Sequence, residues 1–143
     1  MGGLPGHPTG DAATPEEVAA HTALTLYALH QQSRAEPAHV RGIGIGQAVQ
    51  RLAAANGQAG VRRRFDAVAT AASYGEVSHH LRGLIGQLRS AGIPLDYGML
   101  ADDLLQIQRG GQAAAVRLRW ARQLYHLDQT TTTATGEPKE GQE

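Results

Sequence analysis

A chain of 143 residues, 41% of them hydrophobic, is long enough to bury the core of one domain without disulfides or metals. It contains no cysteine, which excludes disulfide frameworks, thiolate zinc sites and cysteine nucleophiles. The formal net charge is zero, yet residues 34–127 hold twelve arginines against six acids, an excess of six positive charges. This excess favours an anionic partner, the alternative being that the arginines form only a solvated surface.

The two ends differ in composition from the rest of the chain. Residues 1–13 are rich in glycine and proline, and residues 128–143 form an acidic tail rich in threonine and glycine. We expect both to be disordered, which leaves a helical domain at residues 14–127. The chain has no run of about 18 apolar residues and lacks the residue order of a signal peptide at its start. We therefore expect a cytoplasmic protein without membrane contacts.

The first helix is predicted from Thr14 to about Gln32. Thr14 can cap it, Pro15 suits its first position, and Glu17 completes a capping box. A stripe of apolar residues wide enough to contact more than one neighbouring helix is expected on its inner side. This stripe includes Leu24, Leu26, Tyr27, Ala28 and Leu29.

The stretch GIGIG at residues 42–46 follows, and we interpret it as a loop whose two isoleucines anchor in the core. A Walker-type phosphate loop needs lysine and then serine or threonine after its last glycine, where this chain has Gln47 and Ala48. A dinucleotide-binding glycine motif needs a preceding strand, and no strand pattern precedes this one. We therefore expect no nucleotide cofactor.

Helices two to five are predicted from apolar residues that recur at helical spacing. They cover residues 47–55, 61–72, 73–91 and 96–109. Local signals mark their ends: Asn56 and Gly57 end helix two, Ser73 and Asp96 can cap helices four and five, and two glycines follow helix five.

Three consecutive arginines lie on helix three. Arg62, Arg63 and Arg64 wrap its outer side, and Asp66 is the one carboxylate in the neighbouring sequence. Because a single carboxylate cannot pair with three guanidinium groups, phosphate is the partner that the sequence favours.

Two pairs of adjacent ionisable residues are candidates for chemistry. His79 and His80 on helix four lie about 100° apart around the helix axis and do not converge, so we expect no metal site. Asp102 and Asp103 on helix five diverge in the same way, and no nucleophile accompanies them. We place both acids on the solvent face, as surface charges or partners of nearby arginines, and expect no enzymatic activity.

Helix six is predicted over residues 116–127. Its core stripe is expected to consist of Val116, Trp120, Leu124 and Leu127, with Arg119, Arg122 and His126 along one flank. Leu118 and Tyr125 fall nearly opposite this stripe, where the surface helix of a monomer should be polar. They either contact a second partner or are single residues that are partly exposed.

No strand pattern and no repeat of about 20 to 50 residues occurs. The sequence therefore predicts an all-α fold of about six helices, arranged as one compact bundle or as two small helical subdomains.

The order of these motifs resembles that of the CasB family, the small subunit of the type I-E CRISPR Cascade surveillance complex. The resemblance lies in GIGIGQAVQRL at 42–52, VRRRFDAVAT at 61–70, HHLRGLIGQLRSAGIPLDY at 79–97, LADDL at 100–104 and VRLRWARQLYHL at 116–127. Together with a match in helix one, around residues 24–32, these stretches are spread over about three quarters of the chain. No single stretch is diagnostic, and the resemblance depends on their order and spacing.

The resemblance implies a noncatalytic, all-helical protein, present in two copies, that helps to hold the R-loop in antiviral defence. Its partners would be other Cascade subunits, a second copy of itself, guide RNA and target DNA, above all the displaced single strand, without a small-molecule substrate. Ten arginines would contact nucleic acid: Arg34, Arg41, Arg51, Arg62, Arg63, Arg64, Arg82, Arg117, Arg119 and Arg122. Guanidinium groups neutralise phosphates without reading bases, which gives salt-sensitive, sequence-tolerant binding.

The chain departs from the family pattern in two places. Helix five ends in LLQIQRGG, where the family usually has aromatic residues, and the acidic tail has no counterpart that we can place. An alternative function is a helical protein–protein adaptor that makes no contact with nucleic acid. On either view Leu118 and Tyr125 are candidates for a subunit interface, because they lie opposite the core stripe.

Overall fold

The computed structural model describes residues 12–135, with side chains through Leu124. The helices in this range are α1 (Pro15–Gln31), α2 (Ile45–Asn56), α3 (Gln58–Ala69), α4 (Tyr74–Ala91), α5 (Tyr97–Gln108) and α6 (Ala113–Thr135). Within it, the only strand-like pairing is a single bridge between His39 and Leu95, so the predicted all-α fold of six helices is confirmed. None of these six helices is both long and apolar enough to cross a bilayer.

Buried apolar residues from all six helices form one continuous core. Of the two predicted arrangements, the structure therefore shows the single bundle. In this bundle α1 packs on α4 and α5, and α2 packs on α3 and α6. Helix α3 also packs on α4, and α5 also packs on α6. Val116, Trp120 and Leu124 of α6 are buried as predicted, whereas the side chain of Leu127 lies outside the described residues.

Side chains at the helix N-termini accept hydrogen bonds from N–H groups that have no partner within the helix, as the sequence predicts. Thr14 Oγ1 accepts from the N–H of Glu17 at 3.1 Å, and the Glu17 carboxylate accepts from the N–H of Thr14 at 2.8 Å. At the start of α4, Ser73 Oγ accepts from the N–H of Glu76. These local contacts fix where α1 and α4 begin.

Asp96 joins the start of α5 to the loop before α2. Its Oδ1 accepts from the N–H of Met99 at 3.0 Å, and its Oδ2 accepts from the N–H of Gly42 at 2.7 Å. Burial pushes the pKa of Asp96 up, but the hydrogen bonds from backbone N–H groups outweigh this effect and hold the pKa below its ordinary value. Gly42 has a φ of +91°, a left-handed conformation that glycine adopts without strain.

The buried face of α1 agrees only partly with the predicted one: Leu26 is buried and Tyr27 and Leu29 pack against the core as predicted. The buried residues are Ala19, Ala23, Leu26 and His30, which follow the spacing of a single helical stripe. Leu24, which we assigned to the core, is 67% exposed, and Ala28 is exposed as well. The side of α1 with small residues packs inward because small side chains let α1 lie close to its neighbours.

The GIGIG stretch is only partly a loop. Because α2 begins at Ile45, Ile45 and Gly46 are helical, while Ile43 stays in the loop and is half-buried. A Cβ at Gly46 would stand 2.5 Å from Cβ of Gln123 and 2.6 Å from the carbonyl oxygen of Trp120. No side chain fits in that space, so Gly46 permits the close approach of α2 and α6.

The bounds of α3 and α6 differ from the predicted ones: α3 keeps its predicted length but begins and ends three residues earlier, and α6 is longer. α3 begins at Gln58 because Gly57, with a φ of +96°, both ends α2 and precedes α3. The backbone of α6 continues to Thr135, into the segment that the sequence assigns to the acidic tail.

Candidate nucleic-acid interface

The ten predicted arginines separate into two groups, according to whether the protein itself bonds them. Those with interactions inside the protein are Arg34, Arg62, Arg117 and Arg119. Those that are exposed, without a hydrogen bond or ion pair to any described residue, are Arg41, Arg51, Arg63, Arg64, Arg82 and Arg122. The second group has guanidinium groups available for an external anion.

Arg34, Arg89 and His30 lie where α1 and α4 end, and we call them the closed cluster. Arg34 Nη1 donates to the carbonyl oxygen of Arg89 at 2.5 Å. Arg89 donates from Nε and Nη2 to the carbonyl oxygen of Gln32, at 3.0 and 2.8 Å. Carbonyl groups at the C-terminal end of a helix have no donor within the helix. Both arginines therefore stabilise helix ends.

His30 is 2% exposed and bonded through both ring nitrogens. Its Nε2 lies 2.8 Å from the carbonyl oxygen of Ile93, and its Nδ1 lies 2.8 Å from the hydroxyl of Tyr97. Because a carbonyl oxygen only accepts, Nε2 carries the proton and Nδ1 accepts from Tyr97. Burial lowers the pKa of His30, and the charges of Arg34 and Arg89 act in the same direction, against the Ile93 hydrogen bond.

Two arginines of α6 are also bonded internally. Arg117 Nη2 donates to the carbonyl oxygen of Ala71, in the turn after α3, at 2.6 Å. Arg119 forms an ion pair with Asp103, whose other oxygen accepts from Trp120 Nε1 at 2.7 Å. The prediction that Asp103 lies on the solvent face is wrong, since it is 8% exposed, whereas the alternative that it pairs with a nearby arginine is confirmed. Its carboxylate lies inside because a buried indole N–H needs an acceptor.

Four basic residues line a groove across the outer face of α4, and we call them the open cluster. They are Arg64 on α3 and His79, His80 and Arg82 on α4. The groove encloses about 480 Å³, and none of the described residues that line it is acidic. The rings of His79 and His80 meet edge to face, with their centroids 5.3 Å apart. The open cluster therefore concentrates positive charge in a concave surface.

The floor of this groove is formed largely by residues without long side chains. A Cβ at Gly83 would stand 2.7 Å from Nη1 of Arg64, so the Arg64 guanidinium lies against the backbone of α4. A Cβ at Gly86 would meet nothing within 4 Å. Ala67 of α3 and Leu29 of α1 complete the apolar part of the lining.

Sequence reasoning identified Arg64 and Arg82 but assigned no role to the histidines or glycines of the groove. A signal was present, because His79, Gly83 and Gly86 recur at steps of four and three and so share one face of α4. That face becomes a groove only when α3 lies beside it, which spacing within α4 does not show. Among the described residues, no group of three or more His, Asp or Glu is arranged to bind a metal.

The remaining predicted residues are not part of the groove. The arginines outside its lining that are exposed and make no hydrogen bond or ion pair to a described residue are Arg41, Arg51, Arg63 and Arg122. Leu118 points outward and is 52% exposed. The side chain of Tyr125 lies outside the described residues.

Comparison with known proteins identifies the family of this chain. Residues 4–125 match the profile of the family described as CRISPR-associated protein Cse2. The chain belongs to the Cse2 family. The structure is similar to that of CasB from Thermobifida fusca, with a TM-score of 0.71 and 40% sequence identity, covering 82% of this chain and 71% of that one.

Two further Cse2-like structures come from Thermus thermophilus. One is a CRISPR-associated protein of the Cse2 family, with 28% identity and a TM-score of 0.65, covering 85% of this chain and 70% of its own. The other is a CasB with 27% identity and a TM-score of 0.61, covering 83% and 68% of the two chains. Among curated proteins, no sequence matches at a significant level. The resemblance to CasB predicted from the motifs is confirmed.

Proposed function

We propose that this Cse2 family member is a noncatalytic small subunit of a type I-E CRISPR Cascade complex, acting in the cytoplasm in antiviral defence. In this role it binds other Cascade subunits and a second copy of itself. It contacts nucleic-acid backbone, of guide RNA or target DNA, and stabilises the R-loop by holding the displaced DNA strand. The open cluster carries the nucleic-acid part of the proposal, because Arg64 and Arg82 lie at one groove that no described acid lines.

The chemistry of the groove supports binding to phosphate rather than catalysis. A guanidinium group without an internal acceptor keeps its donors for an external oxygen, and phosphate oxygens accept such bonds strongly. The described residues of the lining include two imidazoles but no carboxylate that could orient either of them as a general base. Guided complexes leave sequence reading to base pairing, so a subunit that contacts only the backbone suffices there.

The affinity of the full-length chain for a short single-stranded DNA, measured over a range of salt concentrations, tests this proposal. Each phosphate contact on a single strand contributes about 0.7 to the slope of log affinity against log salt. We expect Arg64→Ala and Arg82→Ala each to lower that slope by about this amount and to weaken binding severalfold at low salt.

Arg109→Ala is the matched control. It also removes one exposed positive charge, but Arg109 is paired with Glu16 at 3.1 Å and lies outside the groove. It should leave the slope close to that of the wild type. Equal losses in all three variants would attribute binding to net charge alone, and a wild-type slope near zero would contradict phosphate contacts altogether.

A helical protein–protein adaptor without nucleic-acid contact is the second candidate, favoured by the exposed Leu118 on α6. For an adaptor, Leu118→Ser should abolish copurification with a guide-RNA-containing complex. Arg64→Ala and Arg82→Ala should then change neither the assembly nor its hold on the displaced strand. Our first proposal gives the opposite result for the arginine variants, so the same purified complexes separate the two functions.

A further inference from the structure

The groove of the open cluster is larger and less polar than phosphate binding alone requires. Its volume of about 480 Å³ falls within the range of small-molecule sites. Arg82 supplies charge at its exposed edge and the Arg64 guanidinium lies at Gly83, whereas Gly86 and Ala67 form an apolar floor. A phosphate group engages only the charged edges. The floor suits a second chemical group that is flat and uncharged.

A nucleotide combines these two chemistries in one unit. Unpaired bases stack on imidazole rings and on the planes of guanidinium groups. His79 and His80 offer two rings here, and the guanidinium of Arg64 lies against the backbone at Gly83. An acidic peptide matches the charge of the groove equally well, but its carboxylate side chains have no flat apolar part to cover the floor.

A smaller depression continues the groove across α4. It encloses about 190 Å³ and shares His79 and Arg82 with the groove. Its other lining residues include Ser78, whose hydroxyl group suits a sugar or phosphate. The two depressions together give an extended strand a path over α4, with Arg82 between them.

We propose that the groove holds one unpaired base of a single DNA strand on its glycine floor, with the flanking phosphates at Arg64 and Arg82. The inference rests on the proposed function, since the strand it concerns is the displaced DNA. It adds a reason for preferring single-stranded over double-stranded DNA. A base that is paired in a duplex cannot lie flat on the floor, because its edges and faces are already engaged.

The test compares two oligonucleotides of equal length and equal charge, binding to the full-length chain. One is ordinary single-stranded DNA, and the other carries abasic sites in place of its nucleosides. Both present the same phosphates, so only a site for the base separates them. We expect about tenfold tighter binding of the intact strand, which is the scale of stacking for a single base.

Two glycine variants test whether the preference for the intact strand comes from the groove floor. Gly86→Leu fills the groove floor, and Gly60→Leu adds the same side chain to the outer side of α3. A Cβ meets nothing within 4 Å at either position, and leucine is a better helix former than glycine, so both variants should fold. Gly86→Leu should remove the tenfold preference and leave affinity for the abasic strand unchanged, whereas Gly60→Leu should keep the preference. Gly83→Ala, which must displace the Arg64 guanidinium, should weaken binding of both strands.

The outcomes distinguish this inference from the function on which it rests. Equal wild-type affinity for the two strands, with normal salt dependence, would overturn the base site and leave the phosphate contacts standing. A preference for the intact strand that survives Gly86→Leu would also overturn the base site. Displacement of both strands by hexaglutamate, added at equal charge concentration, would overturn it as well. Failure of both strands to bind would overturn the proposed function itself.

Discussion

Two clusters of arginine and histidine lie beside helix α4, and they differ in whether the protein itself bonds their guanidinium groups. At the C-terminal end of α4, the closed cluster directs Arg89 and Arg34 onto backbone carbonyl groups, and His30 is buried. In the open cluster, Arg82 lies in the N-terminal half of α4 and is exposed. Neither Arg82 nor Arg64 bonds to a described residue. The same residue types therefore stabilise the fold at one end and remain available for a ligand at the other.

The supply of acceptors explains this difference. The last carbonyl groups of a helix receive no hydrogen bond from within the helix, so a guanidinium group near a helix C-terminus finds an acceptor within the protein. Carbonyl groups in the middle of a helix already accept from the next turn, and a guanidinium group beside them finds none. Arg117 follows the same rule, because it donates to the carbonyl oxygen of Ala71 just beyond the end of α3. An arginine is thus open for phosphate when the surface around it is mid-helix and lacks acids.

The largest loss of stability is expected where a carboxylate forms an ion pair with an arginine. Asp103→Ala leaves Arg119 without its partner and the buried Nε1 of Trp120 without an acceptor. We expect the free energy of unfolding to fall by about 3 kcal/mol, below the upper range for buried pairs because the Arg119 side chain is 43% exposed to solvent. Urea unfolding followed by tryptophan fluorescence measures it, and Trp120 is the one tryptophan in the chain.

Asp102→Ala is the control for this substitution. Asp102 is the exposed neighbour of Asp103 on α5, and its removal should change stability by less than about 0.5 kcal/mol. Equal effects of the two substitutions would show that the bonds from Arg119 and Trp120 contribute no stability beyond a surface charge.

The helices themselves were predictable because their signals are local. The capping box of Thr14 and Glu17 spans four positions, and the core stripe of α6 repeats within a single element. The fate of each arginine was not predictable in this way, because its acceptor is distant in sequence. Arg34 lies 55 residues from Arg89, and the acceptor of Arg117 lies 46 residues away. Spacing within one helix carries no information on such contacts.

Part of the buried face of α1 was mispredicted for the same reason. The predicted stripe included Leu24 and Ala28, which are exposed, as well as Leu26, which is buried. The buried stripe ends at His30, a residue that becomes acceptable in the core through Ile93 and Tyr97, 63 and 67 residues later. The groove depends likewise on Gly83 of α4 meeting Arg64 of α3. Sequence thus identified the open arginines as candidates without showing which of them share a site.

Substituting the two arginines of α4 tests the contrast between the clusters directly. Arg89→Ala removes two hydrogen bonds to the carbonyl oxygen of Gln32, and we expect a loss of about 1–2 kcal/mol in unfolding free energy. Arg82→Ala changes the same residue type on the same helix, yet should stay within about 0.5 kcal/mol of the wild type. Thermal and denaturant unfolding measure both. Equal destabilisation would mean that the open cluster is also structural.

The smallest effect is a dependence on pH that comes from the closed cluster. Burial lowers the pKa of His30 in the folded protein, so below about pH 6.5 the unfolded chain binds a proton that the folded chain does not. The stability contributed by the neutral ring is therefore complete above that pH and is lost as the pH falls towards the folded pKa. Unfolding free energy, measured at intervals from neutral to mildly acidic pH, should decrease over this window.

Substitution assigns that dependence to one ring. His30→Gln keeps one donor for the Ile93 carbonyl and one acceptor for the Tyr97 hydroxyl but does not titrate, so part of the pH dependence should disappear even if overall stability falls. His21→Gln removes an exposed histidine from the same helix and serves as the control. An unchanged slope in His30→Gln would mean that the folded protein accepts the proton. In that case Nδ1 of the charged ring would donate to the Tyr97 hydroxyl, and this hydroxyl would donate to the Leu26 carbonyl oxygen 3.3 Å away. The closed cluster would then tolerate a charged histidine, as the open cluster tolerates its charged arginines.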